Sequence, residues 1–235
     1  MSDTFTFTLD GVEIQAQPGQ TILEAADKAG KYIPRLCHHK ELHAYGSCRV
    51  CTVLVNGRPQ AACTQPVAAG NVVESETPKL KAMRKDLIDM LFVEGNHFCM
   101  FCEKSGNCEL QATAYRFGIT APRFPYQFPT RNVDASHPDI FLDHNRCILC
   151  GRCVRASRDL DGKNVFQFVG RGPHRRIAVN AKARLADTEM DVRDRAVSIC
   201  PVGAILTKRV GYAVPVGKRQ YDHQPIGSDI ESARS

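Results

Sequence analysis

The chain has 235 residues, of which 43% are hydrophobic and 24% are charged, proportions typical of one or two soluble globular domains. No stretch approaches the roughly 18 consecutive apolar residues of a membrane span, and the first residues lack the basic flank and apolar core of an export signal. These features exclude a chain that is disordered throughout, and they predict a cytoplasmic protein without a membrane span.

The first predicted region covers residues 1–77 and begins with strands. Two alternating apolar segments, 5–9 and 12–16, flank an Asp-Gly turn and predict a β-hairpin. Thr21 and Glu24 then have the spacing of a capping box, which predicts the start of a helix.

A second hairpin is predicted further along this region. Asn56-Gly57 is a strong turn signal, and strand-like segments lie on either side of it at 51–55 and 60–63. A hairpin, a helix, a cysteine-containing loop and further strands in this order predict a β-grasp ferredoxin-like domain.

A small His/Cys region is predicted over residues 78–118. It opens with a helix from Pro78 to near Gly95 and closes with a short helix over 109–117. The apolar face of the long helix is expected to consist of Leu80, Met83, Leu87, Met90 and Leu91.

Two segments of unusual composition are expected to lack regular structure. Residues 119–142 contain several prolines that exclude a regular helix and predict an extended connector. Residues 210–235 are too polar to form a core, so this tail is expected to be flexible or to wrap around a partner.

The third region, residues 143–209, is predicted to be a ferredoxin-like domain, so that the chain as a whole is α+β. The predicted elements are a cysteine loop that continues into a helix at 147–160, short strands at 165–170 and 176–180, and a helix at 188–199 with Thr188 as its N-cap.

The 11 cysteines fall into three groups with different spacings. An odd number of cysteines in a chain expected to stay in a reducing compartment indicates metal binding rather than disulfides. We name the groups site A (Cys37, Cys48, Cys51 and Cys63), site B (Cys99, Cys102 and Cys108) and site C (Cys147, Cys150, Cys153 and Cys200).

Site C combines the motif C-x2-C-x2-C with a remote Cys200-Pro201. Three thiolates at this period can wrap a loop around one cubane 4Fe-4S cluster, and backbone amides of the loop can donate to its sulfurs. Since the chain has no second C-x2-C-x2-C motif, Cys200 is expected to complete the same cluster. Structural zinc is the alternative, although zinc sites prefer paired C-x2-C knuckles.

Site A has the spacing C-x10-C-x2-C-x11-C. Four thiolates on a hairpin-rich scaffold suit a 2Fe-2S cluster, but the spacing is not the plant-type one and zinc stays open as an alternative. His38, His39 and His43 lie in the same loop and are expected to be solvated, because four cysteines already fill the site.

Site B, with C-x2-C-x5-C, supplies only three ligands. His97, two residues before Cys99, is the nearest candidate for the fourth, and an open or solvent-ligated corner is the alternative. The short spacing requires the loop at Gly95 and Asn96 to turn back, which the flexible backbone of glycine would allow.

The net charge of +6 raises the question of nucleic acid binding. Three oxidised iron-sulfur clusters with these ligands would add about −5. The basic excess is therefore interpreted as compensation for buried anionic clusters, and no nucleic acid partner is expected.

The three sites, in this order, resemble the N-terminal iron-sulfur region of the large iron-sulfur subunit of respiratory complex I, over about residues 1–209. GNCELQ (106–111) and CPVGAI (200–205) are typical phrases of that family. Four further phrases resemble the small diaphorase subunits of cytoplasmic NAD-reducing nickel-iron hydrogenases: EGNHFC (94–99), CEKSGNCELQ (102–111), RFPYQFP (123–129) and KRVGY (208–212).

This resemblance implies a 2Fe-2S cluster at site A and 4Fe-4S clusters at sites B and C, with His97 as the fourth ligand of site B. Complex I relatives place that histidine as H-x3-C, whereas this chain has H-x-C and Gly95 at the expected position.

The function implied is electron transfer within the diaphorase module of a hydrogenase that reduces NAD. The chain has neither a G-x-G-x-x-G nor a G-x4-G-K-[ST] motif. FMN and NAD are therefore expected on a flavin-binding diaphorase partner, with the small and large hydrogenase subunits as further partners and no substrate active site in this chain.

Two alternatives stay open. The chain could be the equivalent subunit of another NAD-linked complex, such as a formate dehydrogenase or a complex I relative. The net charge and the C-x2-C pairs also fit a zinc-stabilised nucleic-acid-binding module.

Overall fold

The computed structural model describes residues 4–232. Residues 1–3 and 233–235, which belong to the predicted first region and tail, lie outside the described residues. Within the described part, no helix is both long enough and apolar enough to cross a bilayer.

The first region is a five-stranded sheet covered by one helix. The strands are β1 (Phe5–Leu9), β2 (Val12–Ala16), β3 (Thr52–Val55), β4 (Arg58–Ala61) and β5 (Val72–Glu74). Their order is β2-β1-β5-β3-β4, with β1 and β5 parallel and all other neighbours antiparallel. Helix α1 (Ile22–Lys28) buries its apolar side in the same core as the sheet.

Local sequence signals account for these elements. The Thr21 hydroxyl accepts a hydrogen bond from the Glu24 amide at 3.2 Å, and the Glu24 carboxylate accepts one from the Thr21 amide at 2.8 Å. Asn56 and Gly57 have φ angles of 49° and 79°, the left-handed pair that a two-residue hairpin turn requires. The predicted capping box and both predicted hairpins are confirmed.

Helix α2 (Pro78–Val93) is confirmed as well, but of its predicted apolar face only Leu80 is buried. Met90 is exposed, and Met83, Leu87 and Leu91 are only partly buried. The buried residues are Leu80, Arg84, Ile88, Asp89 and Val93.

The burial of Arg84 explains why α2 turns a different face inward from the predicted one. Its guanidinium is fully buried and donates hydrogen bonds to the carbonyl oxygens of Val50 at 3.1 Å, Thr52 at 2.8 Å and Ser75 at 2.8 Å. Carbonyl groups from distant parts of the first region thus replace water around the charge, which lets α2 turn a charged residue inward.

The segment predicted as a connector, residues 119–142, follows α3 (Glu109–Arg116) and contains two short strands, β6 (Val133–Asp134) and β7 (Ile140–Asp143). These strands join β10 (Ile205–Thr207) in a three-stranded sheet of order β10-β7-β6.

The rest of the third region consists of a helix, a hairpin and a short helical turn. They are α4 (Arg152–Asp159), the antiparallel strands β8 (Phe166–Val169) and β9 (Arg176–Val179), and α5 (Arg195–Ser198).

The helix predicted over 188–199 is wrong except for its last turn, α5. Asp191 and Asp194 bind nearby backbone amides and form turns instead: the Asp194 carboxylate accepts from the Asp191 amide at 2.9 Å. The N-terminal amides of α5 are capped by a distant side chain, Asp161, which accepts from Arg195 at 2.8 Å and Ala196 at 3.0 Å.

Two hydrophobic cores divide the described residues. The first core contains apolar residues between Phe7 and Val73, all from the first region. The second core runs from Leu36 to Ile205 and includes residues of all three regions. Leu36, Leu42 and Val50, which flank the site A cysteines in sequence, belong to the second core, so this loop joins the first region to the rest of the molecule.

The described part of the tail packs back on the chain, against the expectation of a flexible or partner-wrapping segment. The Tyr221 amide donates to the Gly106 carbonyl at 2.9 Å, Ile226 is buried, and Arg116 pairs with Glu231 of α6 (Ser228–Glu231).

Candidate metal centres

Site A is assembled from the loop after α1 and from the ends of the β3–β4 hairpin. Cys37 and Cys48 lie in the loop, and each of their amides donates to the sulfur of the other, at 3.4 and 3.5 Å. Cys51 precedes β3 and Cys63 follows β4, so the hairpin register brings these two buried thiols together.

The thiols of site A also affect one another's ionisation. Hydrogen bonds from Cys48 and Cys63 hold the pKa of Cys37 down at about 2, and the same contact with Cys37 raises the pKa of Cys63. A hydrogen bond from Cys63 likewise lowers the pKa of Cys51 to about 7. The structure thus brings the four predicted cysteines of site A close to one another in pairs.

The histidines near site A are not all solvated, contrary to expectation. His43 is exposed, but His38 and His39 are half-buried. Burial lowers the pKa of His38 to about 4, and its Nδ1 atom has no hydrogen-bond partner.

Site C is a cavity into which all four predicted cysteines project. Leu149 and Gly151, with φ angles of 52° and 68°, wrap the loop around this cavity, and the Leu149 amide donates to the Cys147 sulfur at 3.4 Å. The lining residues are Leu142, Cys147, Ile148, Cys150, Gly151, Cys153, Ile177, Cys200, Val202, Ala204 and Ile205.

The remote Cys200 reaches site C because it directly follows the α5 turn, which packs on α4. Burial among apolar residues raises the pKa of Cys147 to about 11 and that of Cys150 to about 12. Because metals bind the thiolate form of cysteine, a metal bound by these cysteines would displace their protons.

Site B is a second cavity, and His97 lies in it together with the three cysteines. Cys99 begins a short 3-10 turn, Cys99–Phe101, and Cys108 is the N-cap residue of α3. The lining residues are Phe92, His97, Cys99, Cys102, Ser105, Cys108, Leu110, Gln111, Arg146 and Gly203.

The His97 ring has the properties of a ligand. Its Nε2 atom is buried and has no hydrogen-bond partner among residues 4–232. Burial, followed by the charges of Arg146 and Arg131, lowers the pKa of His97 to about 4, so the imidazole is neutral at physiological pH and has a free lone pair. His144, another histidine close in sequence to a cysteine, does not line this cavity.

Gly95 makes room for that ring. A Cβ atom at Gly95 would lie 2.6 Å from His97 Nε2 and 2.8 Å from the Asn145 carbonyl oxygen. The chain does turn at residues 94–96, as expected. The φ angle of Gly95 is outside the left-handed region, so this turn does not depend on the backbone freedom of glycine. The His97 ring takes the space that a side chain at position 95 would need.

Residues from other regions hold the loop before His97 in place. The Tyr126 hydroxyl donates to the Gly95 carbonyl at 2.6 Å, and the Asn96 amide donates to the Asn145 carbonyl at 2.7 Å. The RFPYQFP phrase therefore has a local role, because it contributes the tyrosine that fixes this turn.

Sequence reasoning missed three arginines that connect the sites. Arg152, only 2% exposed, forms a bidentate pair with Glu109 at 2.6 Å and donates to the His38 carbonyl at 2.8 Å. It thus contacts residues directly after Cys108 of site B and Cys37 of site A.

Arg155 and Arg146 make the other connections. Arg155, on the same helix as Cys153, donates to the Cys37 carbonyl at 2.6 Å. Arg146, directly before Cys147, donates to the Cys102 sulfur at 3.6 Å. Two features of the sequence could have indicated these contacts. They are the excess of basic residues and the position of arginines next to cysteines.

The described residues contain no group of three or more His, Cys, Asp or Glu placed to hold a single metal ion. The cysteines of sites B and C are instead spread around the two cavities.

Three family descriptions match the chain in the predicted order. Residues 2–78 match a 2Fe-2S iron-sulfur cluster binding domain, residues 84–123 the NADH-ubiquinone oxidoreductase-G iron-sulfur binding region, and residues 137–206 the ferredoxin-like domain of NADH-quinone oxidoreductase subunit 3. The predicted fold class and the presence of iron-sulfur domains are confirmed.

The γ subunit of the NAD-reducing hydrogenase HoxS from Cupriavidus necator is 46% identical to this chain, over 93% of this chain and 94% of that subunit. The chain belongs to the NAD-reducing hydrogenase γ-subunit family. A subunit in the crystal structure of an NAD+-reducing NiFe-hydrogenase in the H2-reduced state is similar in fold, with a TM-score of 0.91, 52% identity and 94% coverage of both chains.

The γ-subunit family is also related to complex I, as expected. One subunit of the NADH-quinone oxidoreductase of Rickettsia bellii is 33% identical over 92% of this chain. The chain spans only 31% of the length of that relative, so the shared part is the iron-sulfur region.

Proposed function

We propose that this chain is the electron-transfer subunit of the diaphorase module of an NAD-reducing hydrogenase, and that electrons cross it by way of sites A, C and B. The observation that carries the proposal is the placement of the three cysteine sites in one packed body, with an arginine of the third region reaching each of the other two sites. The identity to the HoxS γ subunit along nearly the whole chain supports it.

The order of the sites in space differs from their order in sequence. Site A adjoins site C through Arg155, which links α4 to the Cys37 carbonyl. Site C adjoins site B through the segment after Cys200, because a Cβ atom at Gly203 would lie 2.7 Å from the Cys102 sulfur and the Glu109 amide donates to the Pro201 carbonyl at 2.8 Å. Arg152, on the helix that carries Cys153 of site C, also donates hydrogen bonds to residues beside sites A and B. Site C is therefore proposed to lie between the other two, and the path to run A, C, B or the reverse.

The proposed ligands are the eleven cysteines and His97. Cys37, Cys48, Cys51 and Cys63 would hold a 2Fe-2S cluster, and two 4Fe-4S clusters would be held by His97, Cys99, Cys102 and Cys108 and by Cys147, Cys150, Cys153 and Cys200. The unpartnered Nε2 atom of His97 in the site B cavity supports its inclusion. When bound, such clusters accept and donate single electrons with little rearrangement.

The residues of this chain position and insulate those groups. Apolar side chains around site C exclude water, and the backbone amide of Leu149 and the guanidinium of Arg146 donate to cysteine sulfurs. One-electron sites of this kind can join hydrogenase chemistry to a flavin that collects two electrons for hydride transfer to NAD.

FMN and NAD are proposed to bind a partner subunit, and the nickel-iron hydrogenase subunits are the proposed partners at the other end of the path. The assembly is proposed to work in the cytoplasm. If a formate-oxidising molybdenum subunit copurified in place of nickel-iron subunits, the chain would belong to a formate dehydrogenase instead.

Metal and sulfide analysis of the anaerobically purified complex tests the proposal. We expect about ten iron and ten acid-labile sulfide per copy of this chain from one 2Fe-2S and two 4Fe-4S clusters, after subtraction of the clusters of the other subunits. A colourless chain that contains zinc and no sulfide would overturn it. The chain purified alone should oxidise neither NADH nor hydrogen, even with added flavin.

A further inference from the structure

Arg146 belongs to one site by sequence and to another by contact. It directly precedes Cys147 of site C, at the end of the 3-10 turn His144–Arg146. Its side chain nevertheless lines the site B cavity, where Nη1 lies 3.6 Å from the Cys102 sulfur.

Two carboxylates hold the guanidinium in that orientation. Nη1 also donates to Glu103 at 2.9 Å, and Nε lies 3.0 Å from a carboxylate oxygen of Asp143. Glu103 directly follows Cys102 in the second region, and Asp143 is the last residue of β7 in the third region. Carboxylates of two regions therefore hold Arg146. The side chain is only 19% exposed, which limits screening of its charge by water.

A positive donor on a cysteine sulfur acts differently on the two redox states of a cluster. The reduced state carries one more negative charge, so both the hydrogen bond and the charge stabilise it more than the oxidised state. Residues of this kind around metal ligands set reduction potentials.

The geometry points to Arg146 as the residue that raises the reduction potential of the site B cluster. From its position next to Cys147 of site C, it also holds the Cys102 ligand of site B in place. This inference rests on the proposed ligand set of site B. When an electron passes from site C to site B, site C is oxidised and site B is reduced. No bond forms or breaks, and Arg146 keeps its proton throughout.

The test is an EPR-monitored redox titration of the purified complex with Arg146→Met and Arg146→Lys. Arg146→Met should make reduction of site B less favourable by about tenfold, which for a one-electron couple is about 59 mV. Arg146→Lys keeps the charge but loses the planar fork, so a smaller shift of the same sign is expected. The potential of site A should stay unchanged.

Arg131→Met is the matched control. Arg131 is the other arginine whose charge lowers the pKa of His97, but its guanidinium donates to the His144 carbonyl at 3.5 Å rather than to a sulfur. Removal of the Arg131 guanidinium should shift the reduction potential of site B less than removal of the Arg146 guanidinium does.

Three results would overturn the inference: an unchanged site B potential in Arg146→Met, a shift of equal size in Arg131→Met, or loss of the site B cluster from both Arg146 variants, which would assign the residue a structural role only. Absence of a site B cluster from the unmodified complex would instead refute the proposed ligand set.

Discussion

The first region and the two regions that follow it are stabilised in different ways. The first region encloses a core of its own, made of residues between Phe7 and Val73. Sites B and C share one core, to which all three regions contribute, and arginines tie their loops together. The core of the first region is therefore expected to tolerate changes elsewhere, whereas sites B and C, and the site A loop that packs on the shared core, should respond together.

The largest expected effect is at Cys200, which closes site C from a distance. Cys200→Ser should convert the 4Fe-4S cluster of site C to a three-iron species or remove it, because no other cysteine is free to replace it. The EPR signal of the 2Fe-2S cluster at site A should persist, and Cys63→Ser provides the reciprocal control. An unaltered 4Fe-4S content in Cys200→Ser would contradict the ligand assignment.

His97 distinguishes site B from the all-cysteine sites. His97→Ala should leave an open or solvent-ligated corner and make the site B cluster labile, as measured by iron loss during anaerobic gel filtration. His97→Cys, if the cluster assembles, adds about one negative charge and should lower its reduction potential. Unchanged EPR and redox behaviour in both variants would exclude His97 as a ligand.

A variant at Arg152 tests whether the shared core depends on contacts between regions. Arg152→Met leaves the partly buried Glu109 carboxylate and the His38 carbonyl without their partner, which should lower the free energy of unfolding by about 3 kcal/mol. Anaerobic denaturant titration followed by visible circular dichroism measures this change.

The neighbouring Arg158 offers a control on the same helix. Its side chain is 58% exposed and, within the described residues, pairs with Asp159, so Arg158→Met should lower the free energy of unfolding far less than Arg152→Met does. Equal losses from Arg152→Met and Arg158→Met would contradict a special role for the buried pair.

The smallest expected effect is confined to the first region. Thr21→Ala removes the hydroxyl that caps α1 and should lower the free energy of unfolding of that region by about 1 kcal/mol. The EPR signals of sites B and C should be unaffected, and a change in them would show that the first core is not independent.

The parts of the fold that were correctly predicted depend on neighbouring residues. Thr21 with Glu24 and Asn56 with Gly57 determine a cap and a turn within four residues, so their sequence contains the whole signal. The closely spaced cysteines are a similarly local signal, and Cys200 was assigned because the chain has no second C-x2-C-x2-C motif. Together they identified the groups that the structure brings together at site A and around the cavities of sites B and C.

The parts that were missed depend on distant partners. Arg84 is buried because carbonyl groups some 9 to 34 residues away surround it, and no periodicity in α2 could indicate them. The helix predicted over 188–199 was too long for the same reason, since Asp161, which caps the short helix α5, lies outside that segment. The reason for a glycine at position 95 was missed as well, because it depends on where the His97 ring lies in the folded chain.

The different orders of the sites in sequence and in space also bear on how the protein matures during synthesis. All four cysteines of site A have been translated once residue 63 has been added. The ligands of site B are complete at residue 108, but its wall includes Arg146 and Gly203, which are made much later. The cysteines of site A are thus all present early in synthesis, whereas the walls of sites B and C are complete only once the chain has been made as far as Gly203 and Ile205.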